Sequence, residues 1–216
     1  MSYEIQGKVG PVVAADGSLA DVRLGRDLCT TIVEGHGRYY ENASRGLTLV
    51  ASTATAGIAP GTALSASPAL ALANPAGSGK NLSILKVFYG YVSGTLGTGV
   101  LWYVQGINPA ALPAETTAAF RSSALMSGAT APNNDVAKTY SGVSLTNTPV
   151  AVRPSAFSLN PYAGGASPLT LNPPLWEEIS GDLIIQPGGW FGIEGIAGAG
   201  TTPLVVLGVT YEVVPQ

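Results

Sequence analysis

The sequence predicts an all-β protein: a jelly-roll-like antiparallel β-sandwich preceded by an N-terminal arm or small β-hairpin segment. Three observations indicate this class. Short runs of β-branched and aromatic residues recur along the chain. Turns rich in glycine and proline, which number 28 and 16 among 216 residues, separate these runs. No segment has the 3.6-residue apolar period of an amphipathic helix. Many short strands joined by such turns are typical of a sandwich or jelly roll.

The composition of the chain changes after residue 46. Residues 1–46 carry charges throughout, whereas no charged residue occurs from Gly46 to Gly79. In the first part, Asp16-Gly17 lies between two apolar runs, a pattern that favours a hairpin turn. Residues 28–33 have the composition of a strand. We therefore divide the chain into an N-terminal arm or small β segment, residues 1–46, and a jelly-roll β-sandwich, residues 47–216.

The clearest strands in the middle of the chain flank a glycine-rich turn. Residues 82–91 and 100–104 are rich in β-branched and aromatic residues, and residues 93–99 between them contain three glycines. This arrangement predicts a hairpin. Further on, residues 116–125 fit either a strand or a short helix.

The last third of the chain predicts three more strands. Residues 183–185 and 190–193 flank the sequence QPGG, which has the composition of a turn. Residues 204–214 then form the longest apolar run, with alternation in its second half. We expect this run to be the closing strand of the sandwich.

The segment NPAGSGKN, residues 74–81, contains a GSGK that resembles part of a phosphate-binding loop. Such a loop requires G-x-x-x-x-G-K-[ST], because the first glycine allows the tight turn and the final hydroxyl holds magnesium. Here Asn74 occupies the first glycine position, Asn81 follows the lysine, and a strand rather than a helix is expected next. We interpret the segment as a turn, and we expect no cofactor.

Charge and cysteine content exclude several function classes. Charged residues make up only 11% of the chain, against about 25% in typical soluble proteins. The net charge is −3 without a basic run, so we expect no direct binding of nucleic acid. Cys29 is the one cysteine, which excludes an internal disulfide and a cysteine-based metal cluster. Residues 87–114 lack charge but are broken by glycines and Asn108-Pro109, so we expect strands and no membrane span. The residues after Met1 form no basic and apolar leader, so no secretory signal is expected.

The turn NPAGSGKN, the segments IIQPGGWFGI and LGVTYEVV, and GHGRYYENASRG before the sandwich resemble jelly-roll structural proteins of tailed bacteriophages. This resemblance implies a non-enzymatic virion protein, made in the host cytoplasm and bound to the outside of the capsid. It implies a capsid decoration (cement) protein, or another head or tail accessory protein, that assembles as a homotrimer and has the major capsid protein as its partner. The alternative is a carbohydrate- or receptor-binding β-sandwich module of a tail fibre or adhesin. Low charge agrees with an exterior that neighbouring subunits cover.

The N-terminal segment is the candidate arm that would lie across neighbouring subunits. Its basic and aromatic residues are the expected capsid or subunit contacts: Arg23, Arg26, His36, Arg38, Tyr39, Tyr40 and Arg45. His36 is the only histidine, and a catalytic role would require an oriented nucleophile and a third partner. We expect it to make a loop contact, and we assign no catalytic residue and no metal ligand.

The residues of the chain also suggest three other kinds of site. Glycoside hydrolysis would need two carboxylates about 5–10 Å apart. Its candidates are Glu177, Glu178, Asp182 and Glu194. Adjacent residues of a strand point to opposite faces, so Glu177 and Glu178 should not form a pair. Asn133-Asn134-Asp135 offers oxygen ligands for calcium but fits a turn better. A sugar-stacking platform could be built from the aromatic residues Tyr89, Tyr91, Trp102, Tyr103, Trp176 and Trp190.

Overall fold

The computed structural model describes residues 7–8, 22–23, 37–107, 112–115, 119–123, 135–145, 147–158 and 175–215. The chain divides into two compact units, Met1–Arg38 and Tyr39–Gln216. In the first unit, β1 (Gly7–Lys8) pairs in parallel with β2 (Val22–Arg23). The hairpin turn predicted at Asp16-Gly17 and the strand predicted at residues 28–33 lie outside the described residues. The division into segments at residue 46 stays a prediction.

The described residues of the second unit form one short helix and ten strands. They are α1 (Tyr40–Ser44), β3 (Thr48–Thr53), β4 (Leu70–Ala73), β5 (Lys80–Leu96), β6 (Val100–Ile107), β7 (Ala119–Ser123), β8 (Lys138–Tyr140), β9 (Val150–Ser158), β10 (Leu175–Ile185), β11 (Gly189–Ile196) and β12 (Gly200–Pro215). The first sheet has the order β10-β5-β12-β3-β7, and the second has the order β8-β4-β11-β6-β9. These antiparallel sheets confirm the predicted all-β sandwich. The helical turn α1 was not predicted, since five residues are too few to show a helical period.

The strand pairing is that of a jelly roll. Strand β3 pairs with β12, β4 with β11, β5 with β10 and β6 with β9, all antiparallel. The chain is thus a long hairpin of four nested pairs. Pairing of β5 with β12 and of β6 with β11 then joins these pairs into two sheets. Strands β7 and β8 are inserted between β6 and β9 and extend the opposite edges. Eight strands in two such layers form the jelly-roll arrangement.

The hairpin predicted from residues 82–91 and 100–104 is wrong in its pairing. The turn is present, because β5 ends at Leu96 and β6 begins at Val100. However, β5 lies in the first sheet and β6 in the second, so no ladder joins them. Turn residues are recognised locally, whereas each strand takes its partner from a distant part of the chain. The strand alternative for residues 116–125 is confirmed by β7.

The main core lies between the two sheets. From β12 it takes the alternate side chains Val205, Leu207, Val209, Tyr211 and Val213, all buried. A smaller apolar cluster, formed by Ala71, Ala73, Val104, Tyr140, Leu145 and Trp190, lies on the outer face of the second sheet. The second sheet is therefore buried on both faces along β11, whose residues from 190 to 195 are all buried. Among the described residues, no helix has the length and apolarity needed to cross a bilayer.

Candidate interaction surface

Strands β9 and β10 are the last strands of their sheets and are joined by an ion pair. Arg153 of β9 donates from Nη1 to Oδ2 of Asp182 at 2.8 Å and from Nη2 to Oδ1 at 3.4 Å. A bulge in β10, with Ser180 and Gly181 at positive φ, lies immediately before Asp182. Both side chains are more than a third exposed, so the pair contributes at most about 1 kcal/mol to stability. Its main consequence is geometric, because it holds the two edge strands together.

A buried tyrosine lies beneath this ion pair. The hydroxyl of Tyr103 donates to Oε2 of Glu177 at 2.6 Å. The Arg153 guanidinium carbon lies 5.8 Å from the centroid of the Tyr103 ring. Burial, followed by the hydrogen bond and the negative charge of Glu177, raises the pKa of Tyr103 well above its ordinary value. Tyr103 therefore stays protonated, and its hydroxyl donates a hydrogen bond to the carboxylate of the inward-facing Glu177.

The adjacent carboxylates of β10 point to opposite faces, as predicted. Glu177 turns inward to Tyr103, whereas Glu178 turns outward and lies 3.4 Å from Nζ of Lys86. Glu194 is on β11 in the other sheet. Of the four carboxylates considered for hydrolysis, Glu177 and Asp182 both lie near Arg153 and act on its pKa. Both carboxylates therefore have partners within the chain: Glu177 accepts a hydrogen bond from Tyr103, and Asp182 forms an ion pair with Arg153.

The exposed apolar side chains of the described residues concentrate at these two strands. Eight large apolar side chains are exposed: Tyr40, Leu64, Val92, Ile107, Val150, Val152, Trp176 and Ile184. Four of the eight lie on β9 or β10, and Ile107, at the end of β6, accepts a hydrogen bond from Asn147 just before β9. We define the β9–β10 edge by Val150, Val152, Arg153, Trp176, Asp182 and Ile184. Exposed apolar side chains that form one patch are typical of an interaction site.

No sequence pattern predicted the β9–β10 edge. The local sequence, VAVR at residues 150–153 and LWEE at residues 175–178, has no alternation of apolar and polar residues. It does not show that each strand ends its sheet, where apolar side chains have no neighbouring strand to cover them. The sequence offers two local indications of this edge: the Val-x-Val sequence at residues 150–152 and the tryptophan that precedes Glu177.

The helix α1 packs on the outer face of the first sheet. Tyr39, just before the helix, donates its hydroxyl to Glu178, and Nζ of Lys86 lies 5.0 Å from the centre of its ring. Asn42 donates to Oε1 of Glu212 at 2.8 Å. The two contacts come from residues three apart in the sequence, on one side of the helical turn, and fix its position on the sheet.

The structure brings together some of the expected N-terminal contact residues. Tyr39 is partly buried against the sheet, whereas Arg38, Tyr40 and Arg45 are exposed around α1. Arg23 belongs to β2, and its side chain is not described. Arg26 and His36 lie outside the described residues. The assignment of these seven residues as subunit or capsid contacts stays a prediction.

The sugar-stacking platform of six aromatic residues does not form. Tyr89, Tyr103 and Trp190 are buried in the apolar clusters, and Trp102 packs against the outer cluster of the second sheet. Trp176 alone among the six is largely exposed, at 69%. Tyr89, Tyr103 and Trp190 are buried because they lie on inward-facing or covered sides of their strands, whereas Tyr91 and Trp102 are partly exposed.

The calcium alternative concerns residues that are only partly described. Asn133 and Asn134 lie outside the described residues. Oδ1 of Asp135 accepts hydrogen bonds from the backbone of Ala137 at 2.9 Å and from the hydroxyl of Tyr211 at 3.1 Å. These bonds agree with a turn held by its side chain. Within the described part of the chain, no cluster of three potential metal ligands occurs.

One cavity of about 170 Å³ lies at the end of the sandwich where residues 59–62 meet residues 198–200. Its walls are small residues and Pro203, without a charged side chain. Nearby, residues 60–65 are held over the end of β11. The backbone N–H of Gly195 donates to Pro60 O at 2.5 Å, and Ser65 N–H donates to Oε2 of Glu194 at 3.2 Å.

Glu194 is a buried carboxyl group beneath this loop. Its exposed fraction is 2%. Burial raises the pKa of Glu194, and the opposing hydrogen bonds from Ser65 do not cancel that effect. The folded state therefore favours the protonated form. Protonated Glu194 therefore contributes to the stability of the folded state. This contribution is fully present below the pKa of an unfolded glutamate, about 4.3, and is lost as pH rises through the folded-state pKa.

The variant Glu194→Gln is expected to be more stable than the wild type at pH 7. The amide retains an acceptor for Ser65 and carries no charge that must be buried. The difference should shrink towards zero below about pH 4, where the wild-type carboxyl is protonated. Urea unfolding at both pH values measures this. Glu178→Gln, on the exposed face, is the control and should not become more stable at pH 7; equal stability of wild type and Glu194→Gln at pH 7 would contradict the prediction.

The fold and the β9–β10 edge together define a jelly-roll β-sandwich with an apolar edge. Searches of protein-family models, of curated proteins and of solved structures give no match to this chain.

Proposed function

We propose that the protein is a non-enzymatic structural component of a virion: a trimeric decoration protein on the outside of a bacteriophage capsid. The observation that carries this proposal is that four of the eight large apolar side chains exposed in the described residues lie on the edge strands β9 and β10. A chain with only 11% charged residues that also exposes Trp176, Ile184, Val150 and Val152 has a surface suited to association with other subunits.

The distribution of polar groups also supports assembly rather than catalysis. The carboxylates of the β9–β10 edge are engaged by Arg153 and Tyr103, and the described cavity has no charged lining. A decoration protein gains affinity from weak contacts repeated over a symmetric shell, so it requires surface complementarity and no reactive group.

Light scattering on the purified full chain tests the oligomeric part of the proposal. We expect a particle of three copies of 21.8 kDa each, about 65 kDa. The second measurement is co-sedimentation with shells assembled from the major capsid protein of the same virus, where we expect saturable binding. A monomer at all concentrations that also fails to co-sediment would overturn the proposal.

The N-terminal segment should contribute to shell binding. Removal of residues 1–38 leaves the compact unit Tyr39–Gln216, including α1 and its contacts with Glu178 and Glu212. We expect this truncation to weaken co-sedimentation at least tenfold, because contacts linked on one chain add to avidity. The trimer should persist. Full shell binding by the truncated protein would show that residues 1–38 do not act as an arm.

A second function, recognition of carbohydrate or a receptor, is favoured by one specific observation. Trp176 is 69% exposed and is in register with Phe88 on the neighbouring strand, with Glu178 and Lys86 one row away. An open aromatic ring with polar groups beside it suits stacking on a sugar ring. Binding to a glycan array that is lost in Trp176→Ser, without binding to shells, would favour this function over decoration.

A further inference from the structure

We infer that residues 59–65 form a strap that is closed when Glu194 is protonated and opens when Glu194 ionises. The strap belongs to the connection from β3 in the first sheet to β4 in the second, and it lies over the end of β11. Its opening would change the cavity at this end of the sandwich, because Pro60, Gly61 and Thr62 form part of the cavity wall. The inference does not depend on the proposed function, since it concerns the folded chain itself.

The chain is fixed on both sides of the strap. Before it, Ile58 forms a β-bridge with Val205 of β12: Ile58 N–H donates to Val205 O at 2.8 Å, and Val205 N–H donates to Ile58 O at 2.9 Å. After it, the carbonyl of Ala66 accepts from Leu145 N–H at 2.7 Å. An opening can therefore be confined to the residues between these two anchors, with β3 and β4 left in place.

Hydrogen bonds at three points hold the strap to β11 and to the loop that follows β11. They are Gly195 N–H to Pro60 O at 2.5 Å, Ala197 N–H to Thr62 O at 2.9 Å, and Ser65 N–H to Oε2 of Glu194 at 3.2 Å. The third bond is the longest of these, and it is the one that involves an ionisable group. The charge of Glu194 therefore acts directly on one of the points that hold the strap.

The strap is a thin cover over a buried carboxyl group. Glu194 is 2% exposed, whereas residues 62–64 of the strap are exposed on the outside. A buried carboxylate is unfavourable unless hydrogen bonds compensate for the water it has lost. Here Ser65 supplies such bonds, and they lower the pKa of Glu194 by less than burial raises it. Release of the strap would let water reach the carboxyl group and would remove the unfavourable burial.

The direction of the pH dependence follows from the two environments of Glu194. Under the closed strap its pKa is raised, and in water its pKa returns towards the ordinary value of about 4.3. The closed state therefore binds the proton more tightly, and loss of the proton favours the open state. The contribution of protonated Glu194 to closure is fully present below about pH 4.3 and is lost as pH rises through the pKa of Glu194 in the closed state.

The surroundings of Glu194 contain few other ionisable groups. The strap, β4, residues 141–145 and residues 197–203 contain none. In β6 the only ionisable residue is Tyr103, which lies in the main core and donates to Glu177. Tyr140 of the outer cluster donates to Pro113 O at 3.1 Å. Among the described residues, burial and Ser65 are thus the influences that set the pKa of Glu194.

Amide hydrogen exchange of the wild-type full chain at two pH values tests the inference. The reporters are the amides of Ser65, Gly195 and Ala197, which make the three hydrogen bonds of the strap. The references are the amides of Asn74 and Gly188, which are hydrogen-bonded at the other end of β11. After correction for intrinsic exchange rates, we expect the protection of the reporters relative to the references to fall at least about threefold between pH 4 and pH 8.

Two carboxyl variants identify the group that titrates. Glu194→Gln cannot ionise and retains an acceptor for Ser65, so its reporters should be equally protected at both pH values. Glu178→Gln removes an exposed carboxylate on the first sheet and should retain the pH dependence of the wild type.

Two glycine variants supply the signal of an open strap. Gly61 has a φ of +91°, and a Cβ atom there would lie 3.4 Å from Cγ of Glu194, so Gly61→Ala should strain the closed strap. Its reporters should exchange rapidly at pH 4 as well as at pH 8. Gly77 has a φ of +76° in the turn from β4 to β5, with no atom within 4 Å of an added Cβ. Gly77→Ala is the matched control and should leave the reporters as they are in the wild type.

Three results would overturn the inference. The first is equal protection of the wild-type reporters at both pH values. The second is the same pH dependence in Glu194→Gln, which would assign the titration to another group. The third is a parallel loss of protection at Asn74 and Gly188, which would mean that the whole sandwich opens rather than the strap. If Glu194→Gln fails to fold, the wild-type comparison at pH 4 and pH 8, with Gly61→Ala as the open reference, still decides the question.

Discussion

Replacement of Asn74 with alanine is expected to lower the free energy of unfolding by about 3 kcal/mol. Asn74 is fully buried at the end of β4. Its Nδ2 donates to Lys80 O at 2.8 Å and to Ile185 O at 2.9 Å, and its Oδ1 accepts from the Ser78 hydroxyl at 2.7 Å. Alanine would remove the Asn74 donor from the buried Ile185 O and would leave Lys80 O with the Ser78 hydroxyl alone among these side-chain donors.

The backbone of Asn74 explains why this position affects two turns at once. Its N–H donates to Gly189 O and its carbonyl accepts from Gly188 N–H, both at 2.9 Å. The turn from β4 to β5 is thereby tied to the turn from β10 to β11, which joins two distant parts of the chain. Loss of the side chain loosens both connections between the sheets.

Urea unfolding followed by far-ultraviolet circular dichroism measures the effect. Asn74→Asp is the sharper variant, because a carboxylate cannot donate to the two carbonyl oxygens and would repel them at neutral pH. It should be at least as destabilising as alanine at pH 7. Asn147→Ala is the control, since Asn147 is exposed and makes one bond of 3.3 Å; its effect should be below about 0.5 kcal/mol. Comparable losses at both positions would contradict the assigned role.

Replacement of Gly106 with alanine is expected to cost about 2 kcal/mol through a single steric conflict. A Cβ atom on Gly106 would lie 2.6 Å from Cζ2 of Trp190, closer than real side chains approach. Trp190 is buried at 2% exposure among the outer cluster of the second sheet, so the rigid indole has no open space to enter. Either the indole or the β6 backbone must move.

A double-mutant cycle isolates this conflict. In a Trp190→Leu background, Gly106→Ala should cost much less than in the wild type, because the smaller side chain leaves room for Cβ. Gly37→Ala is the control, since a Cβ there meets no atom within 4 Å. Additive effects of the two substitutions at 106 and 190 would show that the cost comes from the backbone and not from the indole.

The interpretation of residues 74–81 as a turn shows what local sequence rules can achieve. The absence of the first glycine and of the hydroxyl after Lys80 excluded a phosphate-binding loop, and the strand β5 does begin at Lys80. The rules did not show that Asn74 would be buried and would hold a second turn. That role depends on Gly189 and Ile185, more than a hundred residues away, whose proximity no local pattern encodes.

The candidate site was the least predictable part of the molecule. The opposite orientation of Glu177 and Glu178 followed from strand geometry alone. The pairing of Arg153 with Asp182 depends on two strands from different sheets, 29 residues apart, meeting at one side of the sandwich. Likewise, exposure of Trp176 and burial of Trp190 could not be separated, because both are aromatic residues in strands with similar local patterns.

The sequence by itself determined that the chain is built of strands, where most turns fall, and which alternate residues of β12 enter the core. These features depend on residues close together in the chain, since a pleated strand places every second side chain on the same face. The tertiary structure alone decided that β5 pairs with β12 and β10 instead of with β6, and that β9 and β10 become neighbouring edges. Strand pairing depends on the packing of the two sheets around one core. Contacts between distant segments stabilise the protein only after both layers have formed, because the entropy lost on closing the long loops must be offset first.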